Sequence, residues 1–395
     1  MNRPLLLLTL CQGLYLTNNV TFIAINGLVG LALAPRPWMA TLPVMAYVAG
    51  AALSAPLVAS HQRRFGRRRS FQLGLVVAMC SAALCAAAAL THQFWLLVFA
   101  TATAGYYNAN GSLYRFAAVE LVPVPAKERA ISWVLAGGIL GAVAGPQLAS
   151  STRDLLPQPF AGAYLALIGV ALLSLGVMSR IHFPAMPTAA EARGGRPLAE
   201  LARQPVFIVA VTASALGYGV MNLLMAATPI AMAQCSHPFS SAALVLEWHV
   251  LGMFVPSFFT GALIKRVGAL PVMALGLLLN AVCVGIALSG VDLMHFLAAL
   301  IALGLGWNFL FIGGTALFTE AYRPDERTRA QAAMDTAIYS TMTITSFSSG
   351  ALVTTSGWTG MNVGTLLPIA LVGAALVWLA LLRRRAAAAA PRALV

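Results

Sequence analysis

Charge is scarce in this chain: 9% of its 395 residues are Asp, Glu, Lys or Arg, and only 11 residues are acidic. An ordinary soluble domain carries about 25% charged residues, so a water-facing surface cannot be built from this composition. Lysine is nearly missing, with only Lys127 and Lys265 beside a much larger set of arginines. Five cysteines (Cys11, Cys80, Cys85, Cys235, Cys283) lie scattered, at spacings that suggest neither a metal centre nor a disulfide framework. No Gly-rich phosphate loop is visible, so ATP-driven work would require another subunit. The longest hydrophilic stretch, about 181–203, is too short for a soluble catalytic domain. No enzyme, cofactor or metal is expected.

What fills the chain instead is apolar: 60% of it is hydrophobic, and the mean hydropathy is +0.84. A run of about 20 apolar residues crosses a bilayer core about 30 Å thick as a helix. Twelve such runs are present, near 5–33, 38–60, 70–90, 94–119, 130–151, 159–180, 204–233, 240–264, 269–289, 294–320, 331–355 and 361–382. The expectation is an all-α membrane protein with 12 transmembrane helices. Leu5 to Leu10 ahead of Cys11 resembles a short signal segment, but Leu10 is large where a cleaved site needs a small residue, so an uncleaved first span is expected.

Basic residues orient the spans. Of the 24 Lys and Arg residues, 21 fall in gaps on the side of the two termini. The opposite gaps hold only Arg36 and Arg153, and Arg115 lies within a span. Both termini are therefore expected in the cytoplasm, with the chain in a bacterial inner membrane. The net charge of +13 is accounted for by these short loops beside anionic headgroups, and no nucleic-acid partner is implied.

The chain also repeats itself. Asn108, Glu120 and Arg129 recur as Asn308, Glu320 and Arg329, each 200 residues on, and aromatic Tyr107 recurs as Trp307. Gly50 and Gly66 recur as Gly252 and Gly268, at an offset of 202. The stretch 181–203, with several Pro and Gly residues, divides the repeats. Two parallel six-span halves are thus expected, 1–180 and 204–395, joined by a cytoplasmic linker.

This plan resembles the major facilitator superfamily, in which a site lies between the halves near the midplane. The loop Arg64-Phe65-Gly66-Arg67-Arg68 is similar to that family's Asp-Arg-x-Gly-Arg-Arg signature. Gly137, Gly141, Gly145 and Pro146 are similar to the antiporter motif of its proton-coupled exporters. The signature aspartate is replaced by Arg63 in the first copy and Lys265 in the second, Ala59 stands where a glycine is expected, and no arginine occurs early in the fourth span.

The resemblance implies a monomeric secondary transporter that moves a small organic solute by alternating access. Proton-driven efflux is the first expectation. Proton-coupled uptake of a nutrient, vitamin or metal chelate is the alternative, and a non-transporting membrane receptor is a second. Gating residues would be Gly66, Arg64, Arg67, Arg68, Arg115, Glu120, Arg129, Glu320, Arg329 and Asp335. Glu–Arg contacts would hold the halves together when the cytoplasmic side is closed, and Asp335 would pair with the arginines around Gly66. Substrate contacts fall on Asn18, Asn19, Tyr107, Asn108, Asn222, Trp307 and Asn308, because amides in lipid must find partners. Asn18 with Asn222, and Asn108 with Asn308, are expected to pair around one solute. Glu247 and His249, deep in the eighth span, are the expected proton carriers, because ionisable groups there are costly.

The arginine bias makes a direct prediction about sidedness. In a cysteine-free background, Arg36→Cys reacts with an impermeant maleimide added to intact cells, whereas Arg203→Cys reacts only after permeabilisation. The reverse pattern would invert the topology.

Overall fold

The computed structural model describes residues 2–123, 126–184, 195–323 and 326–389, and no strand occurs among them. The linker residues 185–194 and the side chain of Arg129 lie outside the described set. Among the described residues, twelve helices follow the expected spans. They are α1 (Arg3–Leu33), α2 (42–65) and α3 (67–90), α4 (Phe94–Gly111, continued by Tyr114–Ala118), α5 (Lys127–Thr152) and α6 (Ala161–Met178). The second half holds α7 (Pro205–Gln234), α8 (Phe239–Phe254 and Ser257–Val267), α9 (Ala269–Ser289), α10 (Leu293–Phe318), α11 (Arg327–Thr355) and α12 (Gly357–Ala389).

Local chemistry explains the breaks. One helical stretch, Leu42–Leu90, is divided by Gly66, whose φ of 79° and ψ of 165° end α2 and start α3. Gly268 repeats that conformation between α8 and α9, with φ 91° and ψ 164°. A Cβ at Gly66 would meet nothing within 4 Å, so glycine is required there by its backbone conformation and not by space. The bend of about 40° in α8 falls at Val255 and Pro256, where proline cannot donate the helical hydrogen bond. With α2 and α3 taken together as one stretch, eight helices among the described residues are long and apolar enough to cross a membrane, or nine with α8 counted as one bent span. α4 and α11 miss that measure because of their polar side chains: Asn108 and Asn110 follow two tyrosines in α4, and α11 is rich in Ser and Thr.

Each half has its own buried cluster on the side of the termini. Leu8, Phe71, Tyr114 and Val134 belong to the first, and Phe207, Met273, Leu310 and Leu376 to the second. On the far side a single cluster joins both halves, with Phe22, Tyr164 and Leu167 continuous with Leu224, Phe296 and Trp358. Large apolar side chains such as Leu53, Leu172 and Leu367 stand more than half exposed, as a lipid-facing surface requires.

The glycine strip of α5 is a packing device. A Cβ on Gly137 would run into the Thr9 carbonyl oxygen, and one on Gly141 would lie 2.6 Å from that of Gly13. The backbones of α1 and α5 therefore nearly touch, and Thr21 Oγ1 donates to the Gly145 carbonyl at 3.0 Å across the same seam.

The visible part of the linker is pinned to the second half. Arg196 donates from Nε and Nη2 to the fully buried Glu326 at 2.8 and 2.9 Å, and the Arg196 and Arg323 backbone N–H groups each add a bond of 2.9 Å. These bonds hold the Glu326 carboxyl well below the usual carboxylate range. Its folded value is depressed, so the stability it contributes is present above the ordinary carboxylate range and is lost as pH falls through the folded value.

Overpacking the α1–α5 seam should cost about 1–3 kcal/mol. Gly141→Ala is expected to lower the melting temperature of the purified protein clearly, while Gly169→Ala, where an added Cβ meets nothing within 4 Å, leaves it unchanged or slightly raised. Equal melting of the two variants would show that the seam is loose.

Candidate functional site

A cavity of about 320 Å³ lies between the halves. It falls at the small end of the range of about 300–1,000 Å³ for ligand pockets. Its wall is drawn from α1, α2, α4 and α5 of the first half and α7, α8, α10 and α11 of the second. Five of the seven expected contact residues line it: Asn19, Asn108, Asn222, Trp307 and Asn308. Asn18 is buried off the cavity, and Tyr107 packs edge-on against Tyr15 inside the first half.

The amides do not hydrogen-bond one another across the halves. Asn108 Oδ1 accepts from the Tyr15 hydroxyl at 2.6 Å and from Asn19 Nδ2 at 3.2 Å, and Asn19 also reaches Tyr47 Oη at 3.3 Å. Asn308 Nδ2 donates to the Met253 carbonyl and to Ser257 Oγ, both at 2.7 Å, while its Oδ1 accepts from Thr260. It thereby caps a carbonyl beside the Pro256 bend. Asn222 donates to Ser346 Oγ at 2.8 Å and to Thr345 Oγ1 at 3.0 Å. The bonds that these cavity amides make stay within their own half.

The second half supplies a flat apolar wall. Trp307 and Phe311 stack at 5.0 Å with 8° between planes, and Tyr218 meets Trp307 edge-on at 5.2 Å. Among the described residues the buried Trp307 Nε1 has no hydrogen-bond partner. Tyr15, Tyr47 and Phe311 were missed in the sequence. The signal was present for two of them, since Tyr15 stands four residues before Asn19 and Phe311 four after Trp307, on shared helix faces.

With the side of the termini parted, the described gating residues bind within their own surroundings. Arg67 binds Glu120 at 2.7 Å and also Gln62, all within the first half. Gln62 and Glu120 thus hold the arginine that the missing signature aspartate would have held. Glu320 binds Arg383 at 2.6 Å within the second half, and Arg329 donates to the Arg196 carbonyl of the linker at 2.7 Å. Arg64 lies over the Phe65 ring, and Arg68 is half-buried beside Gly66. None of these described contacts joins the halves. Asp335 does not pair with the arginines around Gly66; it lines the cavity, as does Arg115.

The contacts that do cross between halves gather on the far side. Thr41 Oγ1 donates to the Phe347 carbonyl at 3.2 Å and accepts from the Gly350 N–H at 2.9 Å. Trp38 meets the Phe347 ring edge-on, and Phe160 meets Phe239 in the same way at 4.8 Å. Gln147 Nε2 donates to Glu247 Oε2 at 2.8 Å. Glu247 is thus half-buried and belongs to this closure, not to the cavity wall. His249 is fully buried, with Nδ1 on the Leu300 carbonyl at 2.7 Å. The cavity is shut on the far side and parted on the side of the termini.

Comparison with known proteins agrees with this architecture. The family described as Major Facilitator Superfamily matches residues 5–246 and 211–394. The chain is 42% identical to the riboflavin transporter RfnT of Brucella anthropi over 364 residues, 91% of each chain. It is 27% identical to the uncharacterised MFS-type transporter YdeG of Bacillus subtilis, over 89% of this chain and 86% of that one. Among solved structures, a mutant of the nucleoside transporter NupG superposes with a TM-score of 0.74 at 12% identity, covering 95% of this chain and 98% of that one. A bacterial homologue of the lysosomal transporter Spinster, inward-facing and unoccupied, superposes with a TM-score of 0.70 at 13% identity, covering 95% and 97%.

The far-side closure can be weakened singly. Thr41→Val removes two hydrogen bonds worth about 1 kcal/mol each. It should shift the opening equilibrium by roughly fivefold or more, seen as a longer population in spin-label distances across the far-side helix ends. Unchanged distances would show that the apolar cluster alone holds the closure.

Proposed function

The chain belongs to the major facilitator superfamily, and from that membership we propose that this membrane transporter takes up riboflavin or a closely related flavin. The observation that carries the reading is the 42% identity, spread over 91% of both chains, with a protein named as a riboflavin transporter. The cavity chemistry supports it. A flavin offers a flat tricyclic face, a polar ring edge and a hydroxylated tail. The Trp307–Phe311–Tyr218 wall suits the face. Asn19, Asn108 and the other polar groups of the first-half wall suit the tail.

Uptake takes precedence over the efflux expectation for a physical reason. Efflux rested on the glycine strip of α5, and that strip is occupied in packing α5 against α1. Close backbone approach of this kind serves either direction of transport equally. With the termini in the cytoplasm, as the arginine bias favours, the parted side releases solute inward. Proton coupling would then act through Glu247 at the closure: protonation weakens its bond from Gln147 and so favours opening of the far side.

The test is accumulation of radiolabelled riboflavin by a bacterial riboflavin auxotroph that lacks its own uptake system. Expression of this chain should support accumulation and growth on low riboflavin. Trp307→Ala should weaken apparent affinity roughly tenfold, in line with about 1–3 kcal/mol for a ring stacked on an aromatic side chain. Glu247→Gln should flatten the pH dependence of uptake. Accumulation no greater than in cells with an empty vector would overturn the flavin reading.

A further inference from the structure

Two opposite charges face the cavity from different halves. Arg115 comes from the last turn of α4 and Asp335 from the third turn of α11. Their charges interact, yet among the described residues they form no ion pair within 4.0 Å. Neither is fully satisfied elsewhere. The Arg115 guanidinium lies over the Phe116 ring at 4.7 Å, and its buried Nε has no hydrogen-bond partner. The Asp335 side chain stands exposed to the cavity. Among the described wall residues Arg115 and Asp335 are the charged side chains, whereas the amides of Asn19, Asn108, Asn222 and Asn308 spend much of their hydrogen-bonding capacity within their own halves. A charged donor and a charged acceptor, separated by a gap on one cavity, match a neutral ligand edge that carries acceptors on either side of a donor.

We infer that Arg115 and Asp335 together read the imide edge of the transported solute, with Arg115 donating to a ring carbonyl and Asp335 accepting the imide N–H. This rests on the flavin reading above and specifies which end of the ring enters the charged gap. The pair determines specificity in two ways. An imide spans both halves, so the ligand itself draws them together. A ring of the same size without the N–H leaves Asp335 desolvated and unpaired, which is the costly outcome for a buried polar group.

The experiment is equilibrium binding to the purified full chain of two probes, riboflavin and riboflavin methylated at its imide nitrogen. It is run on the wild type and on Asp335→Ala, with a ligand-free melt confirming that each is folded. The expected result is a wild-type preference for riboflavin of roughly tenfold or more, the factor for a hydrogen bond to a charged group. In Asp335→Ala the riboflavin affinity should fall to about that of the methylated probe, whose own affinity changes little. This is a thermodynamic cycle that isolates the carboxylate–imide contact. Equal wild-type binding of the two probes overturns the inference and leaves the flavin reading standing. So does a preference that survives in Asp335→Ala, or an equal loss of both probes in that variant. Failure of the folded wild type to bind riboflavin at all overturns the flavin reading, and this inference falls with it.

Discussion

Everything in this structure depends on where the two halves touch. Lipid provides no hydrophobic drive to join one helix bundle to another, so packing and hydrogen bonds must do it. Here they act on one side only. Thr41 holds the backbone of α11, Gln147 holds Glu247, and Phe160 meets Phe239. A continuous apolar cluster runs beneath these contacts. On the side of the termini each half closes on itself, with Arg67 bound to Glu120 and Arg383 to Glu320. The one-sided seam leaves the cavity between the halves.

The same pattern decides how the cavity can recognise a solute. Amides in the wall are bonded in part to neighbours in their own half, so they shape the site as well as line it. Beside them the wall offers an aromatic face around Trp307 and Phe311 and the facing charges of Arg115 and Asp335. Such a wall favours a flat molecule with a polar edge. Arg115 and Asp335 come from different halves, so in the binding mode proposed above the solute bridges what the protein leaves parted, and a ligand that binds one arrangement of the halves better than another shifts their equilibrium.

The internal repeat shows how one plan was used twice and then specialised. Gly66 and Gly268 adopt the same backbone conformation in the two halves. The far-side contacts are related in the same way, α5 against α8 and α11 against the start of α2. Asn108 and Asn308 hold equivalent places, yet one serves a network of hydroxyls and amides and the other caps a bent helix. Both helices carry a proline near this level, Pro256 at the bend of α8 and Pro56 inside α2, where the helix continues unbroken to Gly66.

The spans, the halves and the turns at Gly66 and Gly268 were legible in the residues themselves. Crossing lipid demands apolar length, and a positive φ demands glycine; both are local requirements. The α5 glycines were legible as a smooth strip for the same reason. The partners of Glu120, Glu320 and Asp335 were not. Neither was the placement of Glu247 in the closure, nor the part played by Tyr15, Tyr47 and Glu326. A long polar side chain in a membrane takes whichever partner tertiary packing brings within about 3 Å, and that partner lies tens to hundreds of residues away in the chain. By itself the sequence determined the membrane, the number of helices and their doubling, because these follow from the solvent and from backbone geometry. Only the tertiary structure decided which charges meet, which amides are already bonded and on which side the cavity opens, because those depend on how the two halves lean against each other.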